Sequence, residues 1–333
     1  MRLTLLSAAD LRAALPMPAA IAAMKSAFAQ LSTGQATVPL RTALPVPSAD
    51  PAEPGASGSV SLFMPAYLPK GGLGAKIVSV FPGNAARGKP IIHGLVVVLD
   101  PETGEPLALC DGTFLTAWRT GAASGAATDL LARPDAKTAA LLGCGAQART
   151  QALATDAARQ LDFIQVYAPR PDRVQNFIAE MQPFVGATLV AASSSAEAVR
   201  DADVICAATT SATPVFDGHL VKPGAHINGV GSYTLGMREM DEATVARARI
   251  FIDSREAALA EAGELVAALN AGQTRVEDWT ELGLVAAGLK PGRQSPDEIT
   301  FFKSVGVAVQ DVAAAGQALA EARRRGLGKE VEF

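Results

Sequence analysis

Cysteine is scarce in this 333-residue chain: Cys110, Cys144 and Cys206 are all there are, and none stands in CxxC spacing. An odd, dispersed set of thiols supports neither a disulfide framework nor a thiolate zinc site, and it fits a reducing compartment. Histidine is equally sparse. His93, His219 and His226 lack partners at helical spacing for a metal, so each is expected to be structural and no metal is expected. No serine sits in a G-x-S-x-G setting, which removes support for a hydrolytic triad.

Long apolar runs are missing too. Gly94–Leu99 stops at Asp100, and nothing approaches the ~20 uninterrupted apolar residues of a spanning helix. Behind Arg2 the short apolar stretch is interrupted by Asp10 and Arg12 before a signal-peptide core can form, so no export signal is expected. The net charge is −4, with Lys and Arg scattered, which provides neither a stripe for phosphate backbones nor a polybasic segment for anionic lipid. Nucleic acid and membrane are therefore not expected as partners, and the expected location is cytoplasmic.

What is present is a globular composition, 49% hydrophobic and 19% charged, on a chain long enough for two cores. From about Lys137 a short apolar run, a turn and an amphipathic stretch repeat, the pattern of a parallel α/β sheet. Strands are expected at Thr138–Leu142, Phe163–Tyr167, Thr188–Ala191, Val204–Ala207, His226–Val230 and Ile250–Ile252. Helices are expected near Ala146–Ala158, Pro171–Met181, Ala196–Asp201 and Glu239–Ala246. Six strands make a doubly wound dinucleotide domain. The preceding segment reads differently, as an Ala-rich helix from Ser7 to about Leu31 followed by strands at Gly58–Met64, Leu73–Val80 and Gly94–Asp100. Asp100-Pro101-Glu102-Thr103-Gly104 has the residues of a hairpin turn. Strand-like Ile299–Phe302 and a helix over Gly306–Arg325, marked by Val307, Val309, Val312, Ala315 and Leu319, complete the chain.

The first of these α/β strands runs into Gly143-Cys144-Gly145-Ala146-Gln147-Ala148, a G-x-G-x-x-A that opens a helix. Gly143 permits the tight turn, Gly145 lets backbone approach a pyrophosphate, and Ala148 lets the helix pack on the strand. The second strand ends in Tyr167-Ala168-Pro169-Arg170-Pro171-Asp172-Arg173, with no carboxylate at its tip for a ribose hydroxyl. Arg170 and Arg173 suit a 2′-phosphate, which favours NADP(H) with NAD(H) as the alternative, although both arginines also suit a solvated helix start. Thr209 and Ser211 stand where a βα loop meets a dinucleotide, and the same residues suit a helix cap.

Three cations sit in apolar, Gly-rich surroundings: Arg41, Lys76 and Arg119. A lysine inside the run Gly74-Ala75-Lys76-Ile77-Val78 requires pairing, exposure or function. Taken with Lys76-Ile77-Val78-Ser79, Thr116-Ala117-Trp118-Arg119-Thr120-Gly121-Ala122-Ala123, the Gly loop and Ile299-Thr300-Phe301-Phe302-Lys303-Ser304-Val305-Gly306, the chain resembles the ornithine cyclodeaminase/mu-crystallin family over nearly its whole length.

The resemblance implies a doubly wound Rossmann-type α/β domain, residues 121–305, inserted in an α+β substrate-binding and dimerisation domain, residues 1–120 plus 306–333. It implies a homodimer in which Arg41, Lys76 and Arg119 hold a substrate carboxylate beside Met64, with Lys76 catalytic. Thr120, Gly143, Gly145, Ala146, Gln147, Arg170, Arg173, Thr209, Ser211, Gly231, Ser304 and Val305 are the implied cofactor set. Ornithine cyclodeaminases carry two carboxylates around the substrate amines. Here those positions hold Leu62 and Tyr233, which disfavours a diamino acid. The Gly231-Ser232-Tyr233-Thr234 stretch looks instead like the branch that reduces cyclic imino acids.

In that reading a hydride reaches the imine carbon of Δ1-pyrroline-2-carboxylate or Δ1-piperideine-2-carboxylate. Lys76 donates a proton or hydrogen bond, its pKa lowered by the neighbouring arginines. Alanine dehydrogenase, hydroxyproline dehydratase or ornithine cyclodeaminase chemistry on the same scaffold are the alternatives, as is a mu-crystallin-like NADP-dependent ligand-binding protein. His93 and Tyr233 are left without an assigned part in catalysis.

Overall fold

The computed structural model describes residues 2–47 and 58–332. In chain order the elements begin with β1 (Arg2–Leu6), α1 (Ala8–Ala14), α2 (Met17–Ser32), β2 (Thr42–Val46), β3 (Ser59–Leu68), β4 (Gly72–Val80), β5 (Ile92–Leu99), β6 (Pro106–Asp111) and α3 (Gly112–Leu131). Next come β7 (Thr138–Leu142), α4 (Ala146–Ala158), β8 (Phe163–Tyr167), α5 (Pro171–Met181), β9 (Thr188–Ala191), α6 (Ser195–Arg200), β10 (Val204–Ala207) and β11 (His226–Gly229). The rest are α7 (Glu242–Arg247), β12 (Ala248–Ile252), α8 (Arg255–Glu261), α9 (Gly263–Asn270), β13 (Thr280–Glu281), α10 (Leu282–Ala286), β14 (Ile299–Lys303), α11 (Ala308–Arg325) and β15 (Lys329–Glu332).

They form two compact units. The first comprises Met1–Pro16, Gly34–Arg119 and Val307–Phe333; the second comprises Met17–Thr33 and Thr120–Gly306. The single helix expected from Ser7 to Leu31 is therefore two. Pro16 lacks the N–H that would continue the first helix and biases Leu15 away from helical angles, and Leu15 adopts φ −126° and ψ 76°. Behind the break, α2 packs on α10 and α4 within the second unit, and Phe28 meets Phe302 edge-on at 6.1 Å. Residues 17–33 thus leave the N-terminal domain to which the sequence reading assigned them.

In the first unit a seven-stranded sheet runs β15-β1-β6-β5-β4-β3-β2. The Asp100 turn joins β5 to β6 as expected. Asp100 Oδ1 accepts from the backbone N–H of Glu102 at 2.8 Å and of Thr103 at 2.9 Å, and Gly104 takes φ +76°. Helix α11 packs across β3, β4 and β5. Register then decides which residues are covered, since successive side chains point to opposite faces. Met64, Lys76, Val96 and Cys110 line up across β3, β4, β5 and β6 and are all buried. One step along, Phe63, Ile77 and Leu95 line up on the opposite face and are each about 40% exposed.

In the second unit an all-parallel sheet runs β13-β12-β14-β11-β10-β7-β8-β9. It has eight strands where the sequence reading expected six. Ile299-Thr300-Phe301-Phe302-Lys303 is not an appendage but inserts between β11 and β12, buried along its whole length as a central parallel strand must be. The chain order reverses between β7 and β10, the crevice at which doubly wound sheets bind ligands. The last expected α/β helix begins at Glu242 rather than Glu239, because Asp241 is the N-cap and accepts from Thr244 N at 2.8 Å.

Candidate functional site

In the first unit the covered row of the sheet brings Lys76 under α11. The lysine is 1% exposed, and its Nζ lies 2.7 Å from Oδ2 of the fully buried Asp311. The other carboxylate oxygen, Oδ1, accepts from Arg119 Nε at 3.0 Å. Arg119 Nη1 donates in turn to Oε1 of Gln310, one residue before Asp311. Arg41 is half-buried ahead of β2, and its charge reaches Lys76. Met64 is buried beside Lys76 in the adjoining strand. The structure thus brings Lys76, Arg119, Arg41 and Met64 together.

The Lys76 amine is pulled down from 10.5 to about 8. Burial is the largest cause, with Arg119 and Arg41 adding repulsion, while Asp311 pushes the other way. The sequence reading attributed the lowering to the arginines, whereas desolvation leads. Sequence reasoning also missed Asp311 and Gln310. The available signal was two polar residues beside the apolar positions Val309 and Val312 of a helix otherwise read as core.

In the second unit, the Gly loop has the build of a pyrophosphate cradle. Gly143 takes φ +113°, and a Cβ there would stand 2.6 Å from Ala208 O, so only glycine fits. A Cβ on Gly145 would meet nothing within 4 Å, and Gly145 and Ala146 lie exposed at the N-terminus of α4. Open space, accessible backbone amides and a helix N-terminus at the chain reversal fit a dinucleotide phosphate. Gln147 follows half-buried, and Ala148 is buried in α4.

The remaining expected cofactor residues differ in how they are held. Arg170 pairs with Asp172 at 3.0 Å on the surface, and Arg173 is exposed in the first turn of α5 with its charge reaching Cys144 of the Gly loop. Thr209 and Ser211 cap no helix. Thr209 donates through N and Oγ1 to Glu239 Oε1 at 2.6 and 2.9 Å, and Ser211 Oγ donates to Thr213 O. Glu239 Oε2 accepts from Gly231 N at 2.7 Å and Ser232 N at 3.2 Å, so one buried carboxylate ties the loop after β10 to the loop after β11. Burial pushes its carboxyl up. Ser304 Oγ, Val305 N and Gly306 N all donate to Asp253 Oδ2 at 2.8–2.9 Å. Thr120 is buried, its carbonyl accepting from Gln151 Nε2. Glu239 and Asp253 were not singled out in the sequence.

Leu62 is half-buried in β3 and Tyr233 is 40% exposed after β11. Two carboxylates do lie near Tyr233 in sequence or space, but both are engaged by the protein. Glu239 holds backbone amides, and Glu264 accepts from Ser232 Oγ at 2.9 Å and pairs with Lys303 at 3.1 Å. Among the described residues no group of three or more His, Cys, Asp and Glu side chains could hold a metal ion. His226 is fully buried, with Nδ1 2.9 Å from Thr300 Oγ1 and Nε2 3.2 Å from Asn228 Oδ1; His93 and His219 are exposed. No described helix is long and apolar enough to cross a membrane.

Comparison with known proteins matches residues 2–325 to the ornithine cyclodeaminase/mu-crystallin family. A Δ1-pyrroline-2-carboxylate reductase of Bacillus cereus is 37% identical over 98% of this chain and 99% of its own. Among solved structures, the Δ1-pyrroline-2-carboxylate reductase of Thermococcus litoralis, in complex with NADH and L-proline, is 38% identical. It superposes with a TM-score of 0.91 over 99% of this chain and 100% of that one. An archaeal alanine dehydrogenase dimer with bound NAD is 33% identical, with a TM-score of 0.88 over the full length of both chains.

Proposed function

The chain belongs to the ornithine cyclodeaminase/mu-crystallin family, and from that premise we propose that it is an NAD(P)H-dependent reductase of cyclic imino acids. It takes Δ1-pyrroline-2-carboxylate to L-proline and Δ1-piperideine-2-carboxylate to L-pipecolate. The observation that carries this reading is Lys76, buried among Arg119, Arg41 and Asp311 with its amine at about 8. A ketimine needs one proton as well as a hydride, and an ammonium of that pKa gives up its proton near neutral pH. The reductases of Bacillus cereus and Thermococcus litoralis, at 37% and 38% identity, support the same substrate class.

When bound, the nicotinamide cofactor supplies the hydride that adds to the C=N carbon. Arg41 and Arg119 hold the substrate carboxylate, and Lys76 Nζ donates the proton to the imine nitrogen. Asp311 keeps Lys76 and Arg119 in place. Gly143, Gly145, Ala146 and Gln147 hold the pyrophosphate, and Thr209, Gly231, Ser304 and Val305 are shaped for the dinucleotide by Glu239 and Asp253. Arg170 and Arg173 support use of NADP(H), with NAD(H) also accepted. Glu239 and Glu264 are engaged within the protein, and Leu62 and Tyr233 offer no carboxylate for a second substrate ammonium, which argues against ornithine.

The exposed row Phe63, Ile77 and Leu95, with Tyr67 and Leu44 on neighbouring positions, supports a homodimer through the outer face of the seven-stranded sheet. The unbridged thiols of Cys110, Cys144 and Cys206 support a cytoplasmic location.

The deciding experiment is steady-state oxidation of NADPH and NADH by purified protein with each imino acid and with pyruvate plus ammonia, alongside ammonia release from ornithine with NAD+ present, a reaction with no net change of the nicotinamide. Turnover of the imino acids well above the other pairs is expected, and Arg170→Ala combined with Arg173→Ala is expected to lower the NADPH/NADH ratio. Faster alanine formation from pyruvate would replace this reading with reductive amination, the chemistry of the archaeal alanine dehydrogenase. Tight dinucleotide binding without turnover would replace it with a ligand-binding role.

A further inference from the structure

We propose that Gln310 is a substrate-binding residue whose Nε2 donates a hydrogen bond to the carboxylate of the imino acid. The inference rests on the reductase reading above and extends its binding site.

Gln310 lies in the first turn of α11 and is fully buried. Its Oε1 accepts from Val307 N at 3.0 Å and from Arg119 Nη1. Two donors on one end of the amide identify that end as the oxygen, so the other end is the NH2 group. Among the described residues Nε2 has no hydrogen-bond partner. A buried amide nitrogen with nothing to donate to is disfavoured, and interiors supply such groups with protein, water or ligand acceptors.

The surroundings identify the acceptor. Gln310 is bonded to Arg119, Arg119 to Asp311, and Asp311 to Lys76. Among the described residues Lys76 and Arg119 share the one carboxylate of Asp311, two cations on a single anion, and the charge of Arg41 also reaches Lys76, a setting that draws an anion. Asp311 and Gln310 already engage Nε and Nη1 of Arg119, so the guanidinium presents less than its full fork to an incoming carboxylate. The neutral amide completes the set with a directional donor, fixed in place by the two bonds at its oxygen.

The test uses Gln310→Glu and Gln310→Met in NAD+-saturated protein, with pyrrole-2-carboxylate as a flat, non-reducible probe bearing the same carboxylate. Gln310→Glu keeps an acceptor for Val307 and Arg119 but puts an anion where the donor was. Loss of a hydrogen bond to a charged group should weaken probe binding by about tenfold or more in each variant. KM for Δ1-pyrroline-2-carboxylate should rise in parallel, while kcat and NADH affinity change by less. Unchanged probe affinity in both variants would assign Nε2 to a structural water and overturn the proposal. So would a uniform fall of kcat, NADH affinity and probe affinity. A crystal structure of the wild type with the probe decides independently of variant folding: a carboxylate oxygen about 3 Å from Nε2 supports the proposal, and its placement beyond contact overturns it. A wild type that neither reduces the imino acid nor binds the probe would instead refute the reductase reading.

Discussion

Lys76 Nζ and Asp311 Oδ2 lie 2.7 Å apart with both side chains buried, one from the sheet and one from the helix that covers it. Burial, Arg119 and Arg41 all lower the lysine pKa, and Asp311 opposes them. If turnover needs the ammonium, activity is full well below pH 8 and falls as pH rises through about 8. Asp311→Asn removes the opposing charge, so the alkaline limb of kcat/KM should move to lower pH by roughly one to three units. Asp311→Glu should restore it in part. A limb that stays in place in the Asn variant would detach Asp311 from the protonation of Lys76. Lys76→Ala itself should cost about a hundredfold or more in kcat.

The two glycines of the phosphate loop should separate folding from binding. Gly145 has φ −85° and open space around its missing Cβ, so Gly145→Val is compatible with the fold and places methyl groups where a pyrophosphate would approach. Its melting temperature should stay near wild type while NADH affinity falls by about tenfold or more. Gly143→Ala should instead lower the melting temperature, because φ +113° and the 2.6 Å approach to Ala208 O penalise the fold itself. Equal loss of stability in both variants would refute this division.

Local patterning explains what the sequence made legible. The Gly143 loop, the strand β7 that leads into it and the helix α4 behind it are determined by neighbours in sequence, and they were read with the bounds they have. Lys76 could be singled out because a charge in an apolar strand is conspicuous. What escaped depends on distant contacts. Asp311 looks like a minor interruption of an Ala-rich helix until the sheet beneath supplies Lys76 and helix α3 supplies Arg119. Glu239 looks like the start of a helix until its carboxylate is seen taking the amides of Gly231 and Ser232. Ile299–Lys303 reads as a strand but not as an insertion between β11 and β12, because parallel pairing leaves no trace in adjacent residues. Pro16 was a legible break, and the apolar pattern continuing past it masked two helices that belong to different units.

The outer face of the first sheet yields a test of assembly. Phe63, Ile77 and Leu95 are in direct register on three adjacent strands and exposed, whereas the residues one step away are packed beneath α11. Ile77→Lys puts a charge in the centre of this row without touching the covered side. If the row is the dimer surface, light scattering should show the wild type as a dimer and the variant shifted to monomer at micromolar concentration. A variant that stays dimeric would place the interface elsewhere.

His226 ties stability to pH in the second unit. Burial, with help from Arg293, lowers its pKa from 6.5 to about 3, so the folded chain keeps the ring neutral where the unfolded chain protonates it. Between those values the unfolded state binds more protons, and stability therefore falls as pH drops from about 6.5 toward 3. The contribution is fully present above 6.5 and is lost progressively on acidification. Urea midpoints should accordingly decline between pH 7 and pH 5. His226→Gln, which cannot protonate there, should have a lower midpoint at pH 7, having lost the ring's hydrogen bonds to Thr300 and Asn228, but a flatter dependence on pH. A variant whose midpoint declines as steeply as the wild type would show that the acid sensitivity arises from other groups.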